Sequence, residues 1–135
     1  MARGGERSRP MTTLSLGWDL DVTQGEGWLI IRPRPHGPQT TELVPLSDEI
    51  LKLLEWCWVN RVILVLDGLD LLTSFVVGQL IKLHRHLENN GGILRLCGVN
   101  SRHRQVLERL GMAECLPIYD DVRDAVMGGF PCKPR

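Results

Sequence analysis

Four polar side chains near the middle of the chain have types and spacing suited to binding chemistry: Asp67, Asp70, Thr73 and Ser74. They supply two carboxylates and two hydroxyls. A serine or threonine hydroxyl can cap a helix, or it can carry a phosphoryl group of about −1.5 to −2 charges. The group therefore indicates a binding site that phosphorylation is able to switch.

The elements around these residues explain why they are held in place. Residues 61–67 form a continuous apolar run that ends in Asp-Gly, which is typical of a strand buried on both faces. From Thr73 or Ser74 the apolar residues recur with the period of a helix. Strand, turn and helix meet at the carboxyl end of the predicted sheet, where ligands and partners approach open α/β sheets.

Ser74 has two interpretations at this position. It can serve as the N-cap of the helix, which is a purely structural role. It can also accept a phosphoryl group, because the positive end of a helix dipole tolerates added negative charge while the surface potential changes sharply. The residues alone leave both open.

The rest of the chain predicts an α/β fold in the order β-β-α-β-α-β-α-β-α, with about five strands and four helices. Residues 14–22 and 27–32 predict an antiparallel hairpin, and residues 32–38 a loop because prolines lack the backbone donor. The alternation that follows predicts right-handed crossovers and a mostly parallel sheet. The domain should span residues 14–128, between a disordered tail of residues 1–13, for which Met11 is an alternative start, and a loose tail of residues 129–135.

Helix boundaries follow from local signals. Ser47 should cap a helix that runs to about Trp58, Ser101 should cap a later one, and Asp120 and Asp121 should open the last. Trp56 lies two residues before Trp58, so both cannot face one core stripe, and one of them should be partly exposed.

Composition excludes several classes of protein. Lys plus Arg and Asp plus Glu are both 16, and this zero net charge argues against a nucleic-acid binder or an anionic membrane surface. No apolar run approaches the about 20 residues of a membrane span. The four scattered cysteines predict thiols in a reducing cytoplasm rather than disulfides or a metal site.

Enzymatic and ligand-binding motifs have little support. Phosphate-cradling glycine loops and a nucleophile elbow are missing from the sequence, so an enzyme is not expected, and neither is a cofactor. The alternative is a small-ligand or nucleotide sensor, in which the helix N-terminus holds an anion and Arg102 and Arg104 form a clamp.

The central stretch resembles the STAS domain, a family named for sulfate transporters and anti-sigma factor antagonists. That family carries a buried strand, a D-S-[ST]-G-L-G motif at the head of a helix, and a Gly-Gly turn into another strand. Here residues 73–78 occupy the motif and residues 91–97 match the turn and strand. The similarity runs from Arg61 to about Val126.

The resemblance implies a bacterial, cytoplasmic regulator that binds an anti-sigma factor or a serine-kinase-like partner and releases it when the motif serine is phosphorylated. That acceptor corresponds to Ser74, with Thr73 as a second candidate. Thr73, Phe75 and Val76 depart from the motif, which lacks its Asp here and has a bulkier helix entry. The expected partner-binding residues are Asp67, Gly68, Asp70, Thr73, Ser74, Phe75 and Gly78.

Overall fold

The apolar run after Arg61 forms the centre of the molecule. A computed structural model describes residues 11–14, 18–25, 27–36 and 45–128. In it the run becomes strand Arg61–Val65, whose four residues after Arg61 are all buried. The prediction of a strand enclosed on both faces is confirmed, although Leu66–Gly68 forms a 3₁₀ turn instead of prolonging it.

The strands are β1 (Met11–Leu14), β2 (Trp18–Gly25), β3 (Trp28–Pro35), β4 (Arg61–Val65), β5 (Ile93–Cys97) and β6 (Ile118–Tyr119). The helices are α1 (Leu46–Cys57), α2 (Ser74–Asn89), α3 (Ser101–Arg109) and α4 (Val122–Met127). A second 3₁₀ turn, Met112–Glu114, links α3 to β6.

All six strands join one sheet in sequence order, β1 to β6. Strands β1, β2 and β3 pair antiparallel, and β3 to β6 pair parallel. The predicted α/β class, hairpin, parallel part and four helices are therefore confirmed. The sheet has one strand more than expected, because Met11–Leu14 pairs with β2; three of its residues lie in the segment predicted to be disordered. Residues 1–10 and 129–135, predicted as tails, lie outside the described residues.

Helices cover the two faces of the sheet unequally. The larger core lies under α1, α2 and α3, and it includes Leu64, Leu80 and Leu107. The smaller core lies under α4, where Trp28, Ile63 and other buried side chains pack beneath Val122 and Val126. The candidate site begins just beyond the carboxyl end of β4, where Asp67 is the first exposed residue after the buried strand.

The predicted loop at residues 32–38 is wrong for its first part, because β3 continues to Pro35 opposite β2. Its pairing with β4 involves only Leu29, Ile30 and Ile31. Beyond Ile31 one side of β3 is free of that ladder, so a proline there loses no bond to β4. Residues 37 and 38 lie outside the described residues.

Two predicted helix caps are one or two residues out of place. Helix α1 has Pro45 at its N-cap, and Ser47 is buried with its hydroxyl 2.6 Å from Oε1 of Gln79. The same Gln79 oxygen accepts the backbone N–H of Ser47 at 3.1 Å, so a side chain of α2 satisfies the start of α1. Helix α3 is capped by Asn100 rather than Ser101, whereas Asp121 caps α4 as its sequence predicted.

The two tryptophans after Glu55 do not share a core stripe, as expected, but neither of them is buried. Both are exposed, Trp56 to 84% and Trp58 to 90%. Trp58 ends α1 in the left-handed conformation, with φ of 56°. Trp56 lies inside α1 but outside the buried side of the helix, which is formed by Leu46, Ser47, Ile50 and Leu53.

Candidate functional site

The candidate site is the turn from β4 into α2. The chain leaves Val65, forms the 3₁₀ turn at Asp67, buries Leu69, and enters α2 at Ser74. Its position follows from the parallel sheet, because β4 is an inner strand and the turn that follows its carboxyl end exposes Asp67 and Asp70.

Thr73, and not Ser74, is the N-cap of α2. Its Oγ1 accepts the backbone N–H of Val76 at 3.2 Å, and its backbone is extended, with φ of −76° and ψ of 161°. The interpretation of Ser74 as the cap is therefore wrong. Ser74 is the first helical residue, and its side chain is exposed.

Gly78 lies one helical turn after Ser74 on the same exposed side of α2. A Cβ atom added to Gly78 would meet nothing within 4 Å. Glycine in a helix interior costs about 0.5–1 kcal/mol relative to alanine, so neither packing nor backbone geometry accounts for it here. Ser74 and Gly78 together form a shallow surface of small residues on the helix.

Two apolar residues close to Ser74 in the chain are not buried. Leu71 is 63% exposed and Phe75 is half-buried. The sequence analysis missed Leu71, because a residue in a turn between two elements has no periodicity to show which way it faces. An exposed leucine before the helix and a half-buried phenylalanine in its first turn make this corner suited to contact with protein.

Asp67 is held by β3. Nε of Arg32 donates to its Oδ1 at 2.8 Å, and a guanidinium NH₂ group donates to its Oδ2 at 3.4 Å. Both side chains are about half exposed. The structure thus gives Asp67 a role in orienting the turn, and Arg32 is a participant that no local pattern in the sequence indicated.

Gly68 has a packing role. A Cβ atom there would lie 2.6 Å from Cγ of Arg34 and 3.0 Å from the carbonyl oxygen of Pro33. Only glycine lets the turn approach β3 so closely. Of the predicted partner-binding residues, Gly68 is therefore explained by the fold itself.

Asp70 connects the turn to α3. Its side chain is exposed, while its carbonyl oxygen lies 3.3 Å from Nε2 of His103, a side chain only 3% exposed. Arg102 is exposed at the start of the same helix, but Arg104 is partly buried, with a guanidinium nitrogen 3.9 Å from Oδ1 of Asp120. One of the two arginines of the predicted anion clamp, Arg104, is thus already paired with a carboxylate.

A cavity of about 520 Å³ lies next to the Arg32–Asp67 pair on the sheet face under α4. Ile30, Val65 and Val122 supply its apolar part. Of its charged residues, Arg32 pairs with Asp67 and Asp21 pairs with Arg34. The charges around the cavity therefore offset each other.

Cys97 closes β5 beside this site. Burial, the nearby Asp67 and the nearby Asp121 raise the pKa of its thiol from 9.0 to about 12, against a smaller opposing effect of Arg32. A protonated, buried thiol is a poor nucleophile. The structure therefore gives Cys97 a place in the core beside the site rather than the properties of a reactive thiol.

Metal ligands and membrane-spanning helices can be assessed for residues 11–14, 18–25, 27–36 and 45–128. Within those ranges, three or more His, Cys, Asp or Glu side chains nowhere gather as metal ligands would. In the same part of the chain, every helix is too short or too polar to cross a membrane.

Known proteins have sequences similar to this chain. A family model described as the STAS domain matches residues 20–125. A Thermotoga maritima protein, described in its name as a candidate anti-sigma factor antagonist, is 25% identical over 67 residues, which are 50% of this chain and 59% of that protein. The chain thus matches little more than half the length of its curated relatives.

Solved structures agree on the fold. The crystal structure of a T. maritima protein named in the same way has a TM-score of 0.69 at 18% identity, covering 81% of this chain and 92% of that one. The Bacillus cell fate determinant SpoIIAA, in its phosphorylated form, has a TM-score of 0.57 at 18% identity, covering 81% of this chain and 96% of that one. Because the family model matches well over half of the chain, the protein belongs to the STAS domain family.

Proposed function

We propose that the chain is a protein-interaction module of the anti-sigma factor antagonist type. It binds an anti-sigma factor or a serine-kinase-like partner through the surface from Asp67 to Gly78, and phosphorylation of Ser74 weakens that binding. The observation that carries this proposal is the division of roles at the helix entry. Thr73 caps α2, which leaves the exposed hydroxyl of Ser74 available.

The composition of the surface supports a protein as the partner. Leu71 and Phe75 supply apolar contact area, and the missing side chain at Gly78 lets another backbone approach α2 closely. A helical glycine that the fold does not require is explained if a partner needs the space. The small residues of the STAS motif are reduced here to Ser74 and Gly78, so these two carry the contact.

Phosphorylation of Ser74 would act on binding more than on folding. The amides of Ser74 and Phe75 precede the first intrahelical hydrogen bond of α2, which Val77 donates to Thr73. A phosphate there meets the positive end of the helix dipole and leaves the fold intact. In a complex, the same phosphate would be placed among apolar groups, and the cost of removing it from water would loosen the interface.

The first experiment identifies the phosphorylated residue. The purified chain is incubated with ATP and a purified serine kinase of the anti-sigma class from the same organism, and the product is mapped by mass spectrometry. We expect one phosphate on Ser74 and none in Ser74→Ala. Thr73→Ser keeps the capping hydroxyl and should be labelled normally. A label that persists in Ser74→Ala would refute Ser74 as the acceptor.

The second experiment measures binding to the same kinase by calorimetry. Ser74→Asp should weaken the affinity at least tenfold while the melting temperature stays nearly unchanged. Gln105→Glu, which adds a negative charge on an exposed part of α3, is the control and should bind as the wild type does. Equal losses in both variants would mean that general charge, and not the Ser74 surface, governs the interaction.

A further inference from the structure

A second exposed surface lies at the opposite edge of the sheet from Ser74. Helix α1 ends at Cys57 and α2 ends at Asn89, beside the amino ends of β4 and β5. The side-chain amide of Asn60 donates to the carbonyl oxygen of Asn90 at 3.2 Å, which holds the two helix ends together. A groove of about 420 Å³ opens between them.

Apolar and polar side chains line this groove. Leu51, Leu54, Val59 and Leu87 supply its apolar part and Trp58 adds an indole, while the polar lining is Glu55, Asn60, His86 and Asn90. Trp58 is 90% exposed, although an indole buries more apolar area than almost any other side chain when it is covered. The groove and the indole form one apolar surface that nothing covers within the described part of the chain.

Trp58 also occupies an unfavourable backbone conformation. With φ of 56° it is the one residue other than glycine at positive φ among the described residues. Glycine or asparagine would fit this helix end without strain, and a bulky side chain is an outlier there. Because Trp58 neither packs in the core nor suits its backbone, the fold gives no reason for an indole at this position.

The electrostatics of the groove favour a cation. Glu55 is exposed and makes no ion pair in the described structure, whereas Lys52, the only basic residue on α1, lies 3.8 Å from Glu49. Two helix C-termini, each with partial negative charge, converge on the groove. The last turn of α1 has no basic side chain, and the last turn of α2 has one, His86, which also lines the groove. A carboxylate beside an exposed indole face attracts a guanidinium or an ammonium group.

We propose that this groove is a second docking surface, and that its occupant is a segment of another protein in which an arginine or lysine stands beside apolar side chains. The apolar side chains fill the groove between α1 and α2. The cation stacks on Trp58 and pairs with Glu55. This surface is distinct from the Ser74 surface and does not depend on phosphorylation.

The test uses the full chain and a random dodecapeptide library displayed on phage. We expect selected peptides to share an arginine or lysine flanked by apolar residues. One selected peptide, made synthetically, is then titrated while the tryptophan fluorescence is recorded. The signal should shift to shorter wavelength, because Trp18 and Trp28 are already buried and only the exposed indoles can lose water.

Three variants separate binding from folding. Trp58→Gly should weaken the peptide affinity at least tenfold while the melting temperature stays equal or rises, since glycine suits the backbone there. Glu55→Lys should weaken it by a similar factor through charge repulsion. Trp56→Ala removes an indole that is 84% exposed but does not line the groove, and it should change the affinity less than threefold.

Several outcomes would overturn the proposal. One is a library that yields no peptides, or peptides rich in acidic residues. Another is unchanged affinity in Trp58→Gly, and a third is an equal loss in Trp56→Ala, which would indicate general adhesion to indoles. If the chain sediments as a dimer that Trp58→Gly dissociates, the occupant is a second copy. Ser74→Asp should bind the peptide normally, so failure here and failure of the Ser74 switch are separable.

Discussion

Nε of Arg32 on β3 lies 2.8 Å from Oδ1 of Asp67, so a salt bridge ties the hairpin to the turn that leads into α2. The pair is about half exposed, and exposed ion pairs contribute only about 0–1 kcal/mol because water and salt screen them. Its main effect is therefore to orient the turn rather than to stabilise the fold.

Removing this pair should affect the stability only slightly. We expect Arg32→Ala and Asp67→Ala to show a coupling of about 0.2–1 kcal/mol in a double-mutant cycle measured by urea unfolding. The coupling should decrease with added salt. A coupling above about 2 kcal/mol would show that the pair is structural after all.

The division of roles between Thr73 and Ser74 gives a second prediction. Thr73→Ala removes the side chain that caps Val76, so the free energy of unfolding should fall by about 1 kcal/mol. Ser74→Ala removes an exposed hydroxyl and should change it by less than about 0.5 kcal/mol. Chemical denaturation of both variants checks the difference, and the reverse order would restore Ser74 as the cap.

Gly78→Ala should separate stability from binding. Because a Cβ atom there meets nothing, the free energy of unfolding of the variant should be about 0.5–1 kcal/mol higher than that of the wild type. Its affinity for the kinase-type partner should nevertheless fall. Thermal melting and calorimetry on the same samples measure the two effects, and an unchanged affinity would remove Gly78 from the proposed surface.

Gln79 should contribute more to the free energy of unfolding than an exposed surface glutamine does. Gln79→Ala leaves the hydroxyl and the backbone N–H of Ser47, which is 1% exposed, without their acceptor. We expect a loss of about 1–3 kcal/mol in the free energy of unfolding. Adding Ser47→Ala should restore part of that loss, and a purely additive double variant would contradict the contact.

Cys97 should make the stability fall at high pH. Its thiol has a pKa of about 12 in the fold and an ordinary value of 9.0, so above pH 9 the unfolded chain loses the proton first. The free energy of unfolding, relative to Cys97→Ala, should decrease by about 1.4 kcal/mol per pH unit between pH 9 and pH 12. Urea unfolding from pH 8 to pH 10.5 tests this, and a constant difference would be the contrary result.

The sequence predicted what depends on periodicity and composition. The buried run at β4, the long helix α2 and the Gly-Gly turn after Asn90 each have local patterns strong enough to identify them. The position of the candidate site followed directly, because the carboxyl end of a central parallel strand is set by the order of elements.

Contacts between distant residues had no local signal. Ser47 has the residue type of an N-cap, but its own backbone N–H donates to Gln79, a residue of another helix. Pro33 and Pro35 look incompatible with a strand, yet β3 has left the β4 ladder where they occur. The contact of Arg32 with Asp67 and the exposure of Trp58 likewise depend on how the elements pack. A short stretch of sequence does not show that packing.

Helix α2 begins at Ser74 and its 16 residues end beside the groove at Trp58, a length of about 24 Å at 1.5 Å per residue. Its buried side runs along the main core, so the rod between the two ends is stiff. Two proteins bound at those ends would lie too far apart to compete, and neither would strengthen the binding of the other. The domain would then behave as a spacer of fixed length between a partner whose binding phosphorylation controls and a partner whose binding it does not.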